Sequence, residues 1–337
     1  MVSPLVSVIL PVYNGAAFLR ESIDSILSQT YRNLELVIID DASVDRSLDV
    51  ISSYSDKRIR IIRHDANAGL IATLNEGLQL AKGHYIARMD ADDISHPDRL
   101  KLQVEFMEAQ PGVALLGTQI SIIGKSLPKR ENISGKGLVK AALLFSCIIP
   151  HPTVMLRSEL VRKYNWRYDT SHFHCEDFGL WNTIAQSYDV DMLPEILLKY
   201  RSHPGQVSVV YNDIQRNGLH LIRMDNLKRL GVDFNDREEK TFRKLMDLDF
   251  APDENFLQDS ERILLCISAA NQKMGYVPVS DMNRIIGKWW YNLIGSVQKF
   301  GFISADHVMK SPLSSTEYLT EMQIVKIRLK SFLRRWV

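Results

Sequence analysis

The chain has 337 residues, 24% of them charged, with a formal net charge of +1 at pH 7. That length buries a sizeable core in one large domain or two ordinary ones, and the balanced charge excludes a global electrostatic bias towards nucleic acid. Cys147, Cys175 and Cys266 are odd in number and form no CxxC, which argues against a disulfide framework or a zinc site and for a reducing compartment.

The first residues, "MVSPLVSVILPVY", lack a basic segment, and their apolar run stops at Pro11, too short for a signal peptide. Further along, "LVSVIL" (5–10), "LELVII" (34–39), "RIRII" (58–62) and "HYIARM" (84–89) are short, β-branched and almost continuously apolar, as strands buried on both faces are. Helical patterns separate them: Phe18, Ile23, Ile26 and Leu27; Leu48, Val50 and Ile51; Leu70, Leu74, Leu78 and Leu80. This alternation predicts βαβ units and a mainly parallel sheet flanked by helices. Ligands of such sheets sit beyond the carboxyl ends of the strands, which puts "PVYNG" (11–15), "DDAS" (40–43), "HDANAG" (64–69) and "DADD" (90–93) on one rim.

The rim lacks the usual phosphate cradles. "PVYNGAAF" has a single glycine, so a GxGxxG turn is absent, and no GxxxxGK[ST] occurs in the chain. Asp90, Asp92 and Asp93 supply another route. Carboxylates so close repel unless water or a cation lies between them, so the turn is either a solvated acidic loop or a site for Mg2+ or Mn2+, ions that prefer hard oxygen ligands and bind phosphate oxygens as well.

Together, "VSVILPVYNGAAFLRESIDSILSQTY", "LELVIIDDASVD", "NAGLIATLNEGLQLAKGHYIARMDADD", "HPTVMLR" and "EDFGLW" resemble, in order, the family 2 glycosyltransferases. The resemblance runs from about residue 5 to 208 and implies a GT-A fold, a Rossmann-like nucleotide-binding α/β domain, in an inverting enzyme that uses a nucleotide-sugar. It implies a GT-A domain over 1–208, with a nucleotide-sugar half (1–120) and an acceptor half (121–208); the helical patterns beyond it predict a helical C-terminal region (209–337).

Carried over to this sequence, the resemblance implies that Pro11, Tyr13 and Asp41, with Asp40 close by, hold the base of a UDP-sugar. A carboxylate can accept the uracil N3–H and an aromatic ring can stack on the base. Asn14, Asn67 and Gly69 stand on the same rim as further nucleotide-binding positions. For Asp40 and Asp41 the structural alternative is capping of the helix in "SVDRSLDVI". The DxD motif maps to Asp90-Ala91-Asp92, with Asp92 as metal ligand and Asp90 on the ribose or the metal shell. Asp98, in "SHPDRL", reads as a structural first-turn acid.

Inversion needs a base on the acceptor side. The family's base maps to Asp177 in "HCEDFGLWNTIA" (174–185), and its alternative role is to complement a helix N-terminus, as Glu176 also could. Glu176, His151 and Trp181 are placed on the acceptor side, Trp181 either stacking on a sugar or sitting in the core. His203, in "YRSHPGQVS", is either a third metal ligand or a loop histidine.

Residues 211–337 carry helical patterns but no family motif. The QxxRW pattern of processive synthases is absent at its usual place, since "FLRRW" (332–336) has Phe for Gln and lies at the chain end. Apolar runs stay below the ~18 residues of a membrane span, so transfer of one sugar per encounter by a cytoplasmic protein is expected. Residues 322–337 carry five basic residues and no acid, with Val325, Leu329, Phe332, Leu333 and Trp336 near one face. That pattern suits a helix on the inner, anionic face of the plasma membrane, or one docked on its own domain. The expected reaction moves a sugar to a saccharide acceptor, lipid-linked if the membrane reading holds, in assembling bacterial O-antigen, capsule or exopolysaccharide. A nucleotidyltransferase would want a glycine- and lysine-rich first loop; an idle nucleotide-binding scaffold would have no use for Asp90, Asp92 and Asp177.

Overall fold

A computed structural model describes residues 3–125, 133–202, 212–248, 254–299, 308 and 310–333. The chain divides into two compact units, Met1–Val139 with Cys147–Gly218 and Lys140–Ser146 with Leu219–Val337.

The first unit is built on one eight-stranded sheet: β1 (Val6–Val12), β2 (Leu34–Asp40), β3 (Ile59–Arg63), β4 (Tyr85–Arg88), β5 (Ile94–Ser95), β6 (Val113–Ile122), β7 (Met155–Arg157) and β8 (Asp189–Tyr200), in spatial order β3-β2-β1-β4-β7-β6-β8-β5. The four strands expected from the apolar runs form, and all pair in parallel. The other half is mixed: β7 runs antiparallel to β4 and β6, β5 antiparallel to β8, and β6 parallel to β8. β1 reaches two residues past its expected end, through Pro11. β4 pairs with β1 only as far as Ile9, so that side of β1 is open at Pro11, where a missing N–H costs no ladder bond.

Helices α1 (Leu19–Leu27), α2 (Ser47–Ser52), α3 (Leu70–Leu80), α4 (Arg99–Ala109), α5 (Lys136–Leu143), α6 (Ser158–Lys163) and α7 (Glu176–Ala185) follow the strands or the turns between them. Leu19, Ile23 and Ile26 of α1 pack with Val8, Leu10, Leu36 and Ile38 of the sheet in one buried cluster. α3 lies close on β1 at Gly77, where a Cβ would come within 2.5 Å of the Ile9 side chain. The open rim thus sits on rigid strands whose apolar faces are used up by packing.

The second unit is helical, as expected. α8 (Asn212–Arg229) leads into it, followed by α9 (Asp236–Asp247), α10 (Glu254–Met274), α11 (Val279–Lys299) and α12 (Glu321–Leu333). Phe242, Leu264, Ile267, Ile286 and Trp290 are fully or almost fully buried there. Asn235 and Glu238 form a capping box that starts α9. On α12, Ile324 and Ile327 are buried while Met322 and Val325 are exposed. The inward stripe therefore runs through Ile324 and Ile327, and Val325 points away from it. Among the described residues, no helix is long and apolar enough to cross a membrane.

Candidate active site

Two loops at the ends of β1 and β2 close on each other. Asn14, at φ 53° in the left-handed region that Asn tolerates, accepts the N–H of Val44 and Asp45 on its side-chain oxygen at 2.9 and 3.3 Å. In return, Ser43 Oγ accepts Asn14 N–H at 3.0 Å, Ser47 Oγ accepts Gly15 N–H at 2.9 Å, and Asp45 accepts Ala16 N–H at 3.0 Å. Asn14 therefore builds the rim. Beside it, Tyr13 is 55% exposed, its ring open to a partner.

Neither Asp40 nor Asp41 caps α2. The carboxylate beside that helix start is Asp45, which accepts the N–H of Ser47, the first residue of α2, at 2.9 Å. Asp40 is fully buried, with Ser43 N–H at 3.4 Å and Arg63 at 3.8 Å. Asp41 reaches across to the start of α3, where its carboxylate accepts Ala68 N–H at 2.7 Å and Gly69 N–H at 2.9 Å. Gly69 sits at φ 87°, which its lack of a Cβ makes inexpensive. His64 Nδ1 meets the same carboxylate at 2.6 Å, and Asn67 donates to the Asp41 carbonyl at 3.3 Å. Burial pushes the Asp41 carboxyl up, but the N–H of Ala68, the His64 contact and the N–H of Gly69 outweigh it and hold the group below the usual carboxylate range.

At the end of β4 the balance reverses. Asp90, Asp92 and Asp93 each bring a carboxylate oxygen within 4.8 Å of the others. Asp93 is fully buried; one oxygen accepts Arg201 N–H at 2.9 Å and the other has no hydrogen-bond partner. Burial, then the charge of Asp90, pushes Asp93 up to about 8. Asp90 is pushed up to about 6 by burial, with Arg88 opposing and the charges of Asp92 and Asp177 adding. The buried Arg88 guanidinium grips both Asp90 oxygens. Arg201 braces the turn from β8: its Nε donates to the Asp92 carbonyl at 2.8 Å, and its guanidinium lies 4.3 Å from the centre of the Phe18 ring and pairs with Glu21. Crowded hard oxygens, one of them buried and unpartnered, fit a divalent cation of the Mg2+ or Mn2+ kind.

Asp177 stands in the first turn of α7, half-buried. One oxygen accepts Phe178 N–H at 2.7 Å and the other lies 3.4 Å from the Cys147 thiol, which donates to it. Burial raises its pKa, against the pull of the Phe178 N–H, the Cys147 thiol and Arg88. Glu176 beside it is buried and pushed up to about 7 by burial and the charge of Asp177. The influence of Asp177 on Asp90 puts the acidic turn and the start of α7 in one electrostatic neighbourhood.

His151, Tyr168 and Trp181 form the adjoining wall. His151 Nε2 lies 3.0 Å from Tyr168 OH, and the His151 and Trp181 rings meet edge to face at 5.6 Å. Burial drives the His151 pKa well down and keeps the imidazole neutral. Trp181 is a correction: it has no exposed surface, so the core alternative holds and its ring cannot stack on a sugar. Asp98 occupies the N-cap position of α4 but makes no cap bond; Thr30 donates to it at 2.8 Å. His203 lies outside the described residues.

Several residues here carried no motif. Arg88 hides in an apolar strand, and the partners of His64, Cys147 and Arg201 lie far from them in sequence. Asn75 is another: its amide and the Tyr168 backbone exchange two hydrogen bonds of 2.9 Å.

Residues 7–180 match the model of the family described as glycosyl transferase family 2, and the chain belongs to that family. It is 35% identical over 247 residues to an uncharacterized glycosyltransferase of Haemophilus influenzae, covering 68% of this chain and 76% of that one. It is 29% identical over 206 residues to the Escherichia coli UDP-Glc:alpha-D-GlcNAc-diphosphoundecaprenol beta-1,3-glucosyltransferase WfgD, covering 60% and 79%. Among solved structures it resembles S. aureus TarS 1-349 in complex with UDP-GlcNAc, with a TM-score of 0.57, 18% identity and coverage of 85% and 86%. The mannosyltransferase PcManGT from Pyrobaculum calidifontis, in complex with GDP-Man and Mn2+, matches with a TM-score of 0.56 at 18% identity over 98% of this chain and 88% of that one. The fold is thus that of the GT-A glycosyltransferases, and the chain is a glycosyltransferase.

Proposed function

We propose that the enzyme moves one sugar, with inversion, from a UDP-sugar to an acceptor hydroxyl, using Asp177 as general base and Asp92, Asp90 and Asp93 to hold Mg2+ or Mn2+. The observation that carries this reading is the crowded carboxylate trio after β4, with Asp93 buried and Asp90 and Asp92 half-buried, in the same electrostatic neighbourhood as Asp177. A bound divalent cation supplies positive charge for the departing diphosphate. The chain's own residues do the rest. Tyr13 offers its exposed ring to the base, and Asp41 offers a fixed carboxylate to the uracil N3–H. Arg88 fixes the orientation of Asp90. Asp177 takes the proton of the acceptor hydroxyl, and its raised pKa brings it nearer the pH at which a general base works best.

UDP as the nucleotide is supported by the printed names of WfgD and TarS, and Mn2+ by that of PcManGT. The WfgD name, with its diphosphoundecaprenol acceptor, supports a lipid-linked saccharide acceptor and a place in bacterial surface polysaccharide assembly. Division into a nucleotide-sugar half (1–120), an acceptor half (121–208) and a helical region (209–337) belongs to the same proposal. So does membrane contact through 322–337, which a Met322→Glu, Val325→Glu double variant tests by losing cosedimentation with anionic vesicles. The central test is a screen of UDP-sugars with Mn2+ and with EDTA. UDP release that needs the metal, without pyrophosphate, is expected; pyrophosphate would mark a nucleotidyltransferase, and no turnover of any sugar nucleotide would mark a scaffold.

A further inference from the structure

We infer that His64, backed by Glu76, is a positioning residue for the Asp41 carboxylate and makes donor affinity fall as its imidazole loses a proton; this rests on the reading of Asp41 as the base-recognising group. His64 follows β3, and its N–H donates to the Asp40 carbonyl at 2.9 Å, which anchors it to the end of β2. Its Nδ1 lies 2.6 Å from Asp41 Oδ1, and its Nε2 lies 2.6 Å from Glu76 Oε2 on α3. A neutral imidazole has one N–H and can serve one carboxylate; the imidazolium serves both. Carboxylates at both ring nitrogens therefore select the charged ring. The hydrogen bond to Asp41, then that to Glu76, raises the His64 pKa against burial. Arg63 and Asp65 flank it in sequence, with Arg63 paired to Asp40 at 3.8 Å.

The Asp41 carboxylate is thus held by two kinds of donor. The N–H groups of Ala68 and Gly69 are present at every pH. The His64 N–H is conditional. Below the ordinary histidine pKa both clamp contacts are made. As pH rises through the raised value the ring loses a proton, and one nitrogen then turns a lone pair on a carboxylate. The contribution is therefore complete at low pH and lost on the alkaline side.

The test titrates the full chain with UDP by calorimetry from about pH 6.5 to about pH 8.5, above the phosphate ionisation near pH 6. Parent affinity should fall across the upper part of the window. Glu76→Gln should move that fall to lower pH, because one of the two groups holding the proton is gone; a merely structural histidine would show no such movement. His64→Gln should abolish the fall and weaken UDP about tenfold at the acid end, raising the donor KM while leaving kcat near the parent's. Flat parent affinity overturns the inference, and so does His64→Gln binding UDP like the parent. If His64→Gln fails to fold, the parent profile and the Glu76→Gln shift still decide. Asp41→Asn separates the two readings. Unchanged affinity there removes Asp41 from base recognition and this inference with it, whereas weakened affinity beside a parent-like His64→Gln removes only His64.

Discussion

The two ends of the rim treat their carboxylates in opposite ways. At the end of β2, three donors hold Asp41 below its usual pKa, although it is almost fully buried. At the end of β4 and the start of α7, Asp90, Asp93, Glu176 and Asp177 are all raised, chiefly by burial. The β2 end is thus complete in its donors to the Asp41 carboxylate before any ligand arrives. At the β4 and α7 end the carboxyls stay shifted towards their protonated forms, although Arg88 and the buried Arg99 both lie close by. Carboxyls crowded into such a cluster are a cost that function explains better than folding does.

The sharpest way to break this contrast is Asp177→Asn, which keeps shape and removes the proton acceptor. A transfer rate lower by ~10²–10⁴-fold is expected, with UDP affinity at the other end unchanged. Turnover within a few-fold of the parent would move the role to Glu176. Next comes Asp92→Ala. The parent should gain about 2.7 kcal/mol of stability at Mn2+ a hundredfold above its Kd, and the variant should lose that gain, while its metal-free stability holds or rises as repulsion is relieved. Parent-like Mn2+-dependent turnover would refute the assignment.

At the complete end, Asp41→Ala should weaken UDP binding by roughly 1–3 kcal/mol. It should also destabilise the fold, because the N–H groups of Ala68 and Gly69 lose their acceptor. Stability loss with unchanged UDP affinity would leave Asp41 only a capping role on α3. The smallest effect is a pH slope. Glu176 is raised from 4.5 to about 7, so its contribution is whole below 4.5 and lost as pH rises through about 7. Glu176→Gln should flatten the fall in unfolding free energy over that window, by about 1–2 kcal/mol. A parent curve already flat there would show that Glu176 is not under electrostatic pressure.

The parallel half of the sheet was legible because strands buried on both faces read as apolar runs. β8 was not: Pro194 and Glu195 interrupt it, and its pairing with β6 shifts register near Thr118 and Gln119. The carboxylates stood out as motifs. What balances them did not, since His64 reaches Glu76 across a loop, Cys147 reaches Asp177 from 30 residues away, and Arg88 is one polar letter in a strand. Spacing alone put Trp181 on the same helix face as Asp177, but only packing could show that the face is buried there.

The stitching of the first two loops also bears on how donor preference could be re-engineered or could drift. Asn14 N–H needs Ser43, Gly15 N–H needs Ser47, Ala16 N–H needs Asp45, and Val44 and Asp45 need Asn14 in return. Residues 13–16 and 43–47 are therefore one exchangeable cassette written in two places. A chimera that imports either loop alone strands donors on both sides, whereas importing the pair preserves the seam and changes only the side chain exposed at position 13.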